Sequence, residues 1–190
     1  MSKNHGTMYS FCRSIGLSDQ CIQTIISILL DQELWDIYDQ DRTIVAHSRL
    51  KSFALGDNEY HLVVNVWVRY RDGFIITKRV PWKYQGLKWE CVEGSVIAGE
   101  TPEEAAKREC HEELGVSIND MKLLDIETVN HKHVFTYVAE LRQNLDDIVI
   151  RCSEICNLRT ASKSDIIQMI NNQEFMADIA KRWDRYSKKL

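Results

Sequence analysis

Apolar positions follow two periods along this chain. Ile22, Ile25, Ile26, Leu29 and Leu30 fall at i, i+3, i+4, i+7 and i+8, one stripe of a helix, with Ser18-Asp19 placed to cap it. Residues 1–17 ahead of it are polar and irregular, and read as a loosely held arm. From residue 33 the period shortens. Glu33-Leu34-Trp35-Asp36-Ile37-Tyr38 alternates like a strand, and Asp39-Gln40-Asp41-Arg42 turns it. Residues 61–70 are rich in Val and aromatics, Arg71-Asp72-Gly73 turns them, and residues 74–79 return, which predicts a β-hairpin. Residues 81–88 form a loop that carries Trp82 and Tyr84.

Thr101-Pro102-Glu103-Glu104 is a helix start. Thr101 stands at the N-cap, Pro102 at N1, and Glu104 at N3 closes a capping box. The helix is expected to run to Leu114, with Gly115 as its left-handed stop. Strands are expected around 121–129 and 133–142, with a third at 148–152. A helix carrying Ile166, Ile167, Met169 and Ile170 comes next, then a last helix from Gln173 to Tyr186. This order of helix, strands, helix, strands and helices predicts the α/β (α+β) class. A length of 190 residues suits one domain with a small appendage, divided here as an arm and helix at 1–31 and a main domain at 32–190. The N-terminal helix is too apolar on one face to stay bare, and must dock on its own domain or on a second copy in a homodimer.

Composition narrows the function classes. Apolar residues at 44% and charged residues at 27% are near globular averages, which excludes wholesale disorder. Lys+Arg at 24 against Asp+Glu at 28 gives a net charge of −4, so a nucleic acid polymer is not the expected partner. The longest apolar run, Ile25-Ile26-Ser27-Ile28-Leu29-Leu30, falls far short of the ~20 residues a membrane span needs, and no apolar segment follows Met1–Gly6 as in a secretory signal. Six cysteines are too few for a disulfide scaffold, and Cys152 and Cys156 lack a second pair to complete a zinc site. Reduced thiols in a cytoplasm are the expectation.

The chemistry concentrates between Gly94 and Val116. At about 100° per residue, Ala106, Cys110 and Leu114 form the inward stripe of the helix, and Ala105, Glu109, Glu112 and Glu113 a neighbouring face. Like charges at these spacings destabilise a bare helix by a few tenths of a kcal/mol per pair, so something positive should offset them. Hard divalent cations take carboxylate oxygens together with substrate phosphates. Ala105 leaves room for a phosphate, the Gly94–Gly99 loop can add a backbone carbonyl, and Arg108 can hold a carboxylate bidentately. On the carboxylates alone, an ordinary solvated face paired with Lys107 and Arg108 is the commoner outcome.

The full spacing is more specific. Gly94, five residues, Glu100, seven residues, then Arg108-Glu109-Cys110-His111-Glu112-Glu113-Leu114-Gly115-Val116 resembles the Nudix box, with every fixed position met and Cys110 as the small apolar residue. The resemblance covers roughly residues 33–172. It implies a Nudix hydrolase: an α/β/α sandwich with a mixed β-sheet, here with an N-terminal helical extension, that cleaves a nucleoside diphosphate linked to another moiety with Mg²⁺ or Mn²⁺. It implies Glu109, Glu112 and Glu113 as metal ligands, the Gly94 carbonyl as a further one, and Glu100 and Arg108 as an orienting pair, with Glu109 helping to take a proton. Glu154 stands where family members often place an additional acid. Arg79 is a candidate grip on phosphate, and Trp82 and Tyr84 on the loop are candidates for stacking a base, whereas Trp89 suits the core. His47 and His61 read as hydrogen-bonded structural residues.

One departure stands out. Glu93 precedes the first box glycine where the family usually has glycine, and it is strained there if the backbone keeps a positive φ. Residues 33–39 and 60–64 also look like the isopentenyl-diphosphate-isomerase-like branch. True isomerases carry a reactive cysteine where this chain has Gly94-Ser95-Val96-Ile97, and the nearby Cys91 lacks that context. A hydrolase therefore ranks first, with an isomerase-like enzyme or a non-catalytic nucleotide-sensing module as alternatives.

Overall fold

A computed structural model describes residues 13–14, 16–19, 21–22, 25, 33–145, 148 and 154–190. They fall into two compact units. One comprises the chain up to Leu62 with Ser95–Glu100 and Thr128–His133, and the other Val63–Gly94, Thr101–Glu127 and Val134–Leu190. Among the described residues no helix is long and apolar enough to cross a membrane.

The first unit is built on a two-stranded antiparallel sheet, β1 (Leu34–Tyr38) with β2 (Ile44–Leu50). Asp39 makes the turn, its Oδ1 accepting the N–H groups of Asp41 and Thr43 at 2.9 Å each. Asp36 ties the sheet to its surroundings, accepting from Ser48 N at 3.0 Å and from Gly99 N at 3.0 Å. The Leu34 carbonyl accepts Ala98 N–H at 2.8 Å, so β1 anchors the loop after Gly94. Trp35 stacks on His61 with ring centroids 3.8 Å apart. The N-terminal helix starts where the cap was expected: Ser18 Oγ accepts Cys21 N–H, and Ile22 is fully buried against Leu17, Leu34 and Leu50. Ile25 is exposed, and Ile26, Leu29 and Leu30 lie outside the described residues.

The second unit carries most of a seven-stranded sheet. Its central path runs β5 (Trp89–Glu90), β4 (Gly73–Arg79), β3 (His61–Tyr70), β8 (Lys132–Glu140) and β7 (Met121–Val129). β6 (Val92–Ser95) pairs with β3, and β9 (Ile155–Ala161) pairs antiparallel with β4. Helix α1 (Pro102–Leu114) follows β6. After β9 come α2 (Lys163–Asn171) and two short turns of helix, α3 (Ala177–Ala180) and α4 (Trp183–Ser187). The class is mixed α/β with a mixed sheet, as the box implied. The core gathers Trp67, Phe74, Ile76, Trp89 and Cys91 from the strands with Ile166, Met169, Phe175, Ile179 and Trp183 from the C-terminal segment. Trp67 lies at its centre, 4.9 Å from Trp183 and edge-on to Phe74 at 5.7 Å.

The hairpin, the α1 caps and the strands near 121–129 and 133–142 agree with the sequence pattern. Three features differ. The expected last helix at 173–186 is broken: Gln173 takes a left-handed φ of 58°, and residues 174–176 bridge Trp89 through Trp89 N to Glu174 O at 2.9 Å and Met176 N to Trp89 O at 2.8 Å. Backbone committed to that bridge leaves helix only from Ala177. Strands β2, β5, β6 and β9 were not foreseen: β2 and β9 are largely exposed and show no clean alternation, and β5 and β6 are too short to show a period. The strand expected at 148–152 lies outside the described residues except Ile148, which is in neither helix nor strand.

Two stability predictions follow from the first unit. Burial first, then the charges of Lys132 and Lys51, lower the His61 pKa from 6.5 to about 3. The unfolded chain binds this proton below pH 6.5 and the folded chain does not, so stability is intact above pH 6.5 and falls as pH drops toward 3. Between pH 7 and pH 5 the loss should be about 2 kcal/mol. His61→Phe, which keeps a ring against Trp35, should remove that part of the slope in urea titrations at the two pH values; an unchanged slope refutes the assignment. Ile22→Ala should cost about 2–4 kcal/mol in the same assay, and no change in the urea midpoint would show the N-terminal helix to be undocked.

Candidate active site

Helix α1 forms as its ends dictate. Thr101 Oγ1 accepts Glu104 N–H, the Glu104 carboxylate returns to Thr101 N at 2.8 Å, and Gly115 closes the helix at φ 68°. This fixes which side chains turn inward. Ala105, Ala106, Cys110 and Leu114 are fully buried, and the carboxylates of Glu109 and Glu113, four residues apart on one face, are buried with them at 8% and 3% exposure. Glu112 falls on the flank of that face, half exposed, and is drawn to Arg108 at 3.0 Å. Arg108 Nη1 also donates to Glu109 Oε1 at 2.7 Å, so one guanidinium holds both carboxylates. The three acids expected on one patch thus divide: two turn in and one stays at the rim.

Gly94 explains how Glu109 fits. A β-carbon at Gly94 would lie 1.9 Å from Glu109 Cδ and 2.0 Å from its Oε1. The first box glycine is therefore required for space, not for φ, since its φ is outside the left-handed region. The same holds for its neighbour. Glu93 sits in β6 without a positive φ, so the strain expected of a glutamate there is absent. Its Oε2 is buried without a hydrogen-bond partner.

Glu90, which the sequence reading did not single out, is the third buried carboxylate, at 2% exposure. Arg79 Nη1 donates to both of its oxygens, at 2.9 and 2.7 Å. Burial, then the charge of Glu93, push the Glu90 pKa up to about 8 against the pull of Arg79. Burial raises Glu113 well above the ordinary carboxylate range, reinforced by Glu90 and Glu109, and its Oε2 accepts a 3.4 Å hydrogen bond from Thr77. A glutamate flanked by Trp89 and Cys91, both core residues, was the available signal for Glu90.

The remaining candidates lie around the loop after β4. Arg79, the candidate phosphate grip, is engaged by Glu90 and by the Tyr84 carbonyl at 3.0 Å. Trp82 and Tyr84 stand in solvent at 77% and 73% exposure, and Trp89 is in the core as expected. Glu154 pairs with Lys83 of that loop, a lysine the sequence reading passed over. Glu100 is counted with the first unit, where it accepts Ile97 N–H at 3.2 Å. Cys91, the isomerase candidate, is fully buried, and its thiol pKa is driven up by burial and by the charges of Glu93 and Glu90.

The donor set suits a hard cation. Buried carboxylate oxygens raise one another's pKa, and Glu93 presents an oxygen with no hydrogen-bond partner, conditions that a divalent ion would relieve. Among the described residues no three such side chains stand close enough to grip one ion as they are, because the acids are turned toward Arg79, Lys83 and Arg108.

The Gly94 contact yields a direct prediction. Gly94→Ala should displace the Glu109 carboxylate and lower turnover at least ~100-fold, as misplacement of a reacting group does, with a far-ultraviolet circular dichroism spectrum like the parent. Turnover within a few-fold of the parent would show that Glu109 need not sit there.

Comparison with known proteins bears on the family and the fold. The NUDIX domain family model matches residues 59–182. The chain is 24% identical over 155 residues to an uncharacterized Nudix hydrolase of Listeria innocua, covering 76% of this chain and 88% of that one. It is 32% identical over 72 residues to the RNA pyrophosphohydrolase of Blochmanniella floridana, covering 38% and 44%. Among solved structures it matches DR0079 of Deinococcus radiodurans with a TM-score of 0.69 at 24% identity, over 80% of this chain and 98% of that one, a likeness of fold. With the family model spanning well over half of its length and a box that buries Glu109 against Gly94, the chain belongs to the Nudix hydrolase family of enzymes.

Proposed function

We propose that this enzyme hydrolyses a diphosphate linkage in a small nucleoside diphosphate derivative, using Mg²⁺ or Mn²⁺. The observation that carries the reading is the buried pair Glu109 and Glu113 beside Gly94 and Glu90. Glu109, Glu112, Glu113 and Glu154, with the Gly94 carbonyl, would hold the metal. When bound, it supplies neutralisation of the diphosphate and a water of lowered pKa. Arg108 orients Glu109 through the 2.7 Å bond to Oε1, and Glu109 is the carboxylate assigned to accept the proton of the attacking water. Glu100 stiffens the loop ahead of α1 through Ile97 N. Arg79 stands ready to face phosphate once Glu90 shares its charge. Trp82 and Tyr84 present open faces on which a base can stack. The pyrophosphohydrolase name of the Blochmanniella relative supports the bond chosen, and the net charge of −4 favours a small substrate over a polymer.

The test is a hydrolysis screen of dinucleotides, nucleoside triphosphates, nucleotide sugars and nucleotide alcohols with Mg²⁺, Mn²⁺ or chelator, read by product masses. Cleavage at a diphosphate bond, abolished by chelator, is expected. Glu109→Gln and Glu113→Gln should each lower kcat by at least ~100-fold on the substrate found. Near-normal turnover in both variants overturns the assignment.

A further inference from the structure

Six carboxylates crowd this part of the second unit: Glu90, Glu93, Glu109, Glu112, Glu113 and Glu154. Among the described residues three cations are bonded to them, and the three are not alike. Arg79 has a side chain only 12% exposed and is clasped by both oxygens of Glu90 and by the Tyr84 carbonyl. Arg108 lies along its own helix and holds Glu109 and Glu112. Lys83 is different. It stands on the loop between β4 and β5, its ammonium paired with Glu154, itself half exposed. Its charge nonetheless reaches the buried acids, opposing in small part the rise in the pKa of both Glu90 and Glu113.

The loop under Lys83 is fixed. Val80 N donates to the Glu154 carbonyl at 3.0 Å, Leu87 N to the Arg79 carbonyl at 3.1 Å, and Gln85 Oε1 accepts Ala177 N–H at 2.9 Å. The backbone cannot carry the ammonium far, but the four-carbon stem can. An ammonium is a compact point charge that trades partners readily, unlike a clasped guanidinium. Glu154 meanwhile is a carboxylate that counts a cation among its partners, in a cluster where, among the described residues, acids outnumber cations.

We propose that Lys83 is a substrate-positioning residue that changes partner. In the substrate-free protein it neutralises Glu154; when Glu154 turns to a divalent cation, the ammonium passes to a phosphate oxygen of the diphosphate. This rests on the hydrolase reading above, and gives that site a cation no box position specifies. The exchange offsets part of the incoming charge: a divalent cation brings two positive charges to the carboxylates and releases one, the ammonium, toward the phosphates. It also places the phosphate contact on the same loop as Trp82 and Tyr84, so one rigid segment registers both the anionic and the planar parts of the substrate.

The two halves of the exchange predict opposite signs for one substitution. In Lys83→Met, Mn²⁺ should bind the substrate-free protein more tightly, at least about twofold, because a competing cation is gone. Binding of α,β-methylene-ADP at saturating Mn²⁺ should weaken about tenfold or more, the loss expected of a charge-assisted hydrogen bond. Lys83→Arg should keep analogue binding within about threefold, and Glu154→Gln should weaken Mn²⁺. Free Mn²⁺ is read by electron paramagnetic resonance and analogue binding by calorimetry, on the full chain, with melting temperatures as the folding control. If the parent binds Mn²⁺ and the analogue but Lys83→Met binds both as the parent does, or loses both together, the partner exchange is overturned while the hydrolase reading stands. If the parent binds no Mn²⁺, the hydrolase reading falls and this inference with it.

Discussion

A carboxyl group taken out of water costs several kcal/mol unless its oxygens find partners, and this chain buries Glu90, Glu109 and Glu113 within one unit. Much of the local structure answers that constraint. Arg79 is held nearly buried because Glu90 needs both of its bonds. Gly94 lacks a side chain because Glu109 occupies the space where one would be. Thr77, a strand residue with no exposure, offers its hydroxyl to Glu113. What these partners leave uncompensated shows as carboxyl groups with raised pKa values. On the proposed function, that uncompensated cost is what a bound divalent ion would relieve, since such an ion gains most where carboxylates have been denied other compensation.

The helix that presents two of these acids gains only about 0.2–0.5 kcal/mol from each of the ion pairs Glu103–Lys107 and Arg108–Glu112 on its polar face. Its ends supply the stability. The reciprocal Thr101–Glu104 cap, Pro102 at the first position and Gly115 at the stop are all satisfied locally, and Ala106, Cys110 and Leu114 anchor the far side in the core. A 3.6-residue turn then decides roles: positions 109 and 113 share a face and go in, while 112 lies 60° to the flank and stays at the rim. Arg108 bridges the two environments, so the rim carboxylate and the buried one are mechanically linked.

Elements closed by local signals were therefore legible in the sequence. The α1 caps, the β3–β4 hairpin with its Arg71-Asp72-Gly73 turn, and the box spacing all place chemistry within a few residues of its cause. What was not legible depends on distant partners. Strand β9 has an exposed, unpatterned face and exists because β4 offers an edge to it. The C-terminal helix is interrupted because Trp89 takes the backbone of residues 174–176. Glu93 looked like a strained exception, because φ is the property a sequence suggests first. Clearance around Glu109 is visible only in three dimensions. Glu90 and Lys83 were missed for the same reason: each matters through a partner, Arg79 or Glu154, that lies far along the chain or across a turn.

The loop between β4 and β5 joins these threads. Its tightness is backbone-deep: a β-carbon at Gly86 would meet the Pro81 carbonyl oxygen at 2.4 Å, and Gln85 and Leu87 accept left-handed φ values of 51° and 65° to close the turn. Non-glycine residues do not adopt such angles without compensation, and here the compensation is a set of bonds to Arg79 and Ala177. A loop so constrained spends its conformational entropy during folding, so little remains to be lost when a ligand arrives. In the proposed function, Trp82 and Tyr84, each with open faces on this backbone, would stack a base at low ordering cost. The left-handed turns at Gln85 and Leu87 thus hold the loop that joins the buried Arg79–Glu90 pair to exposed Trp82 and Tyr84, the surface on which the proposed substrate would be read.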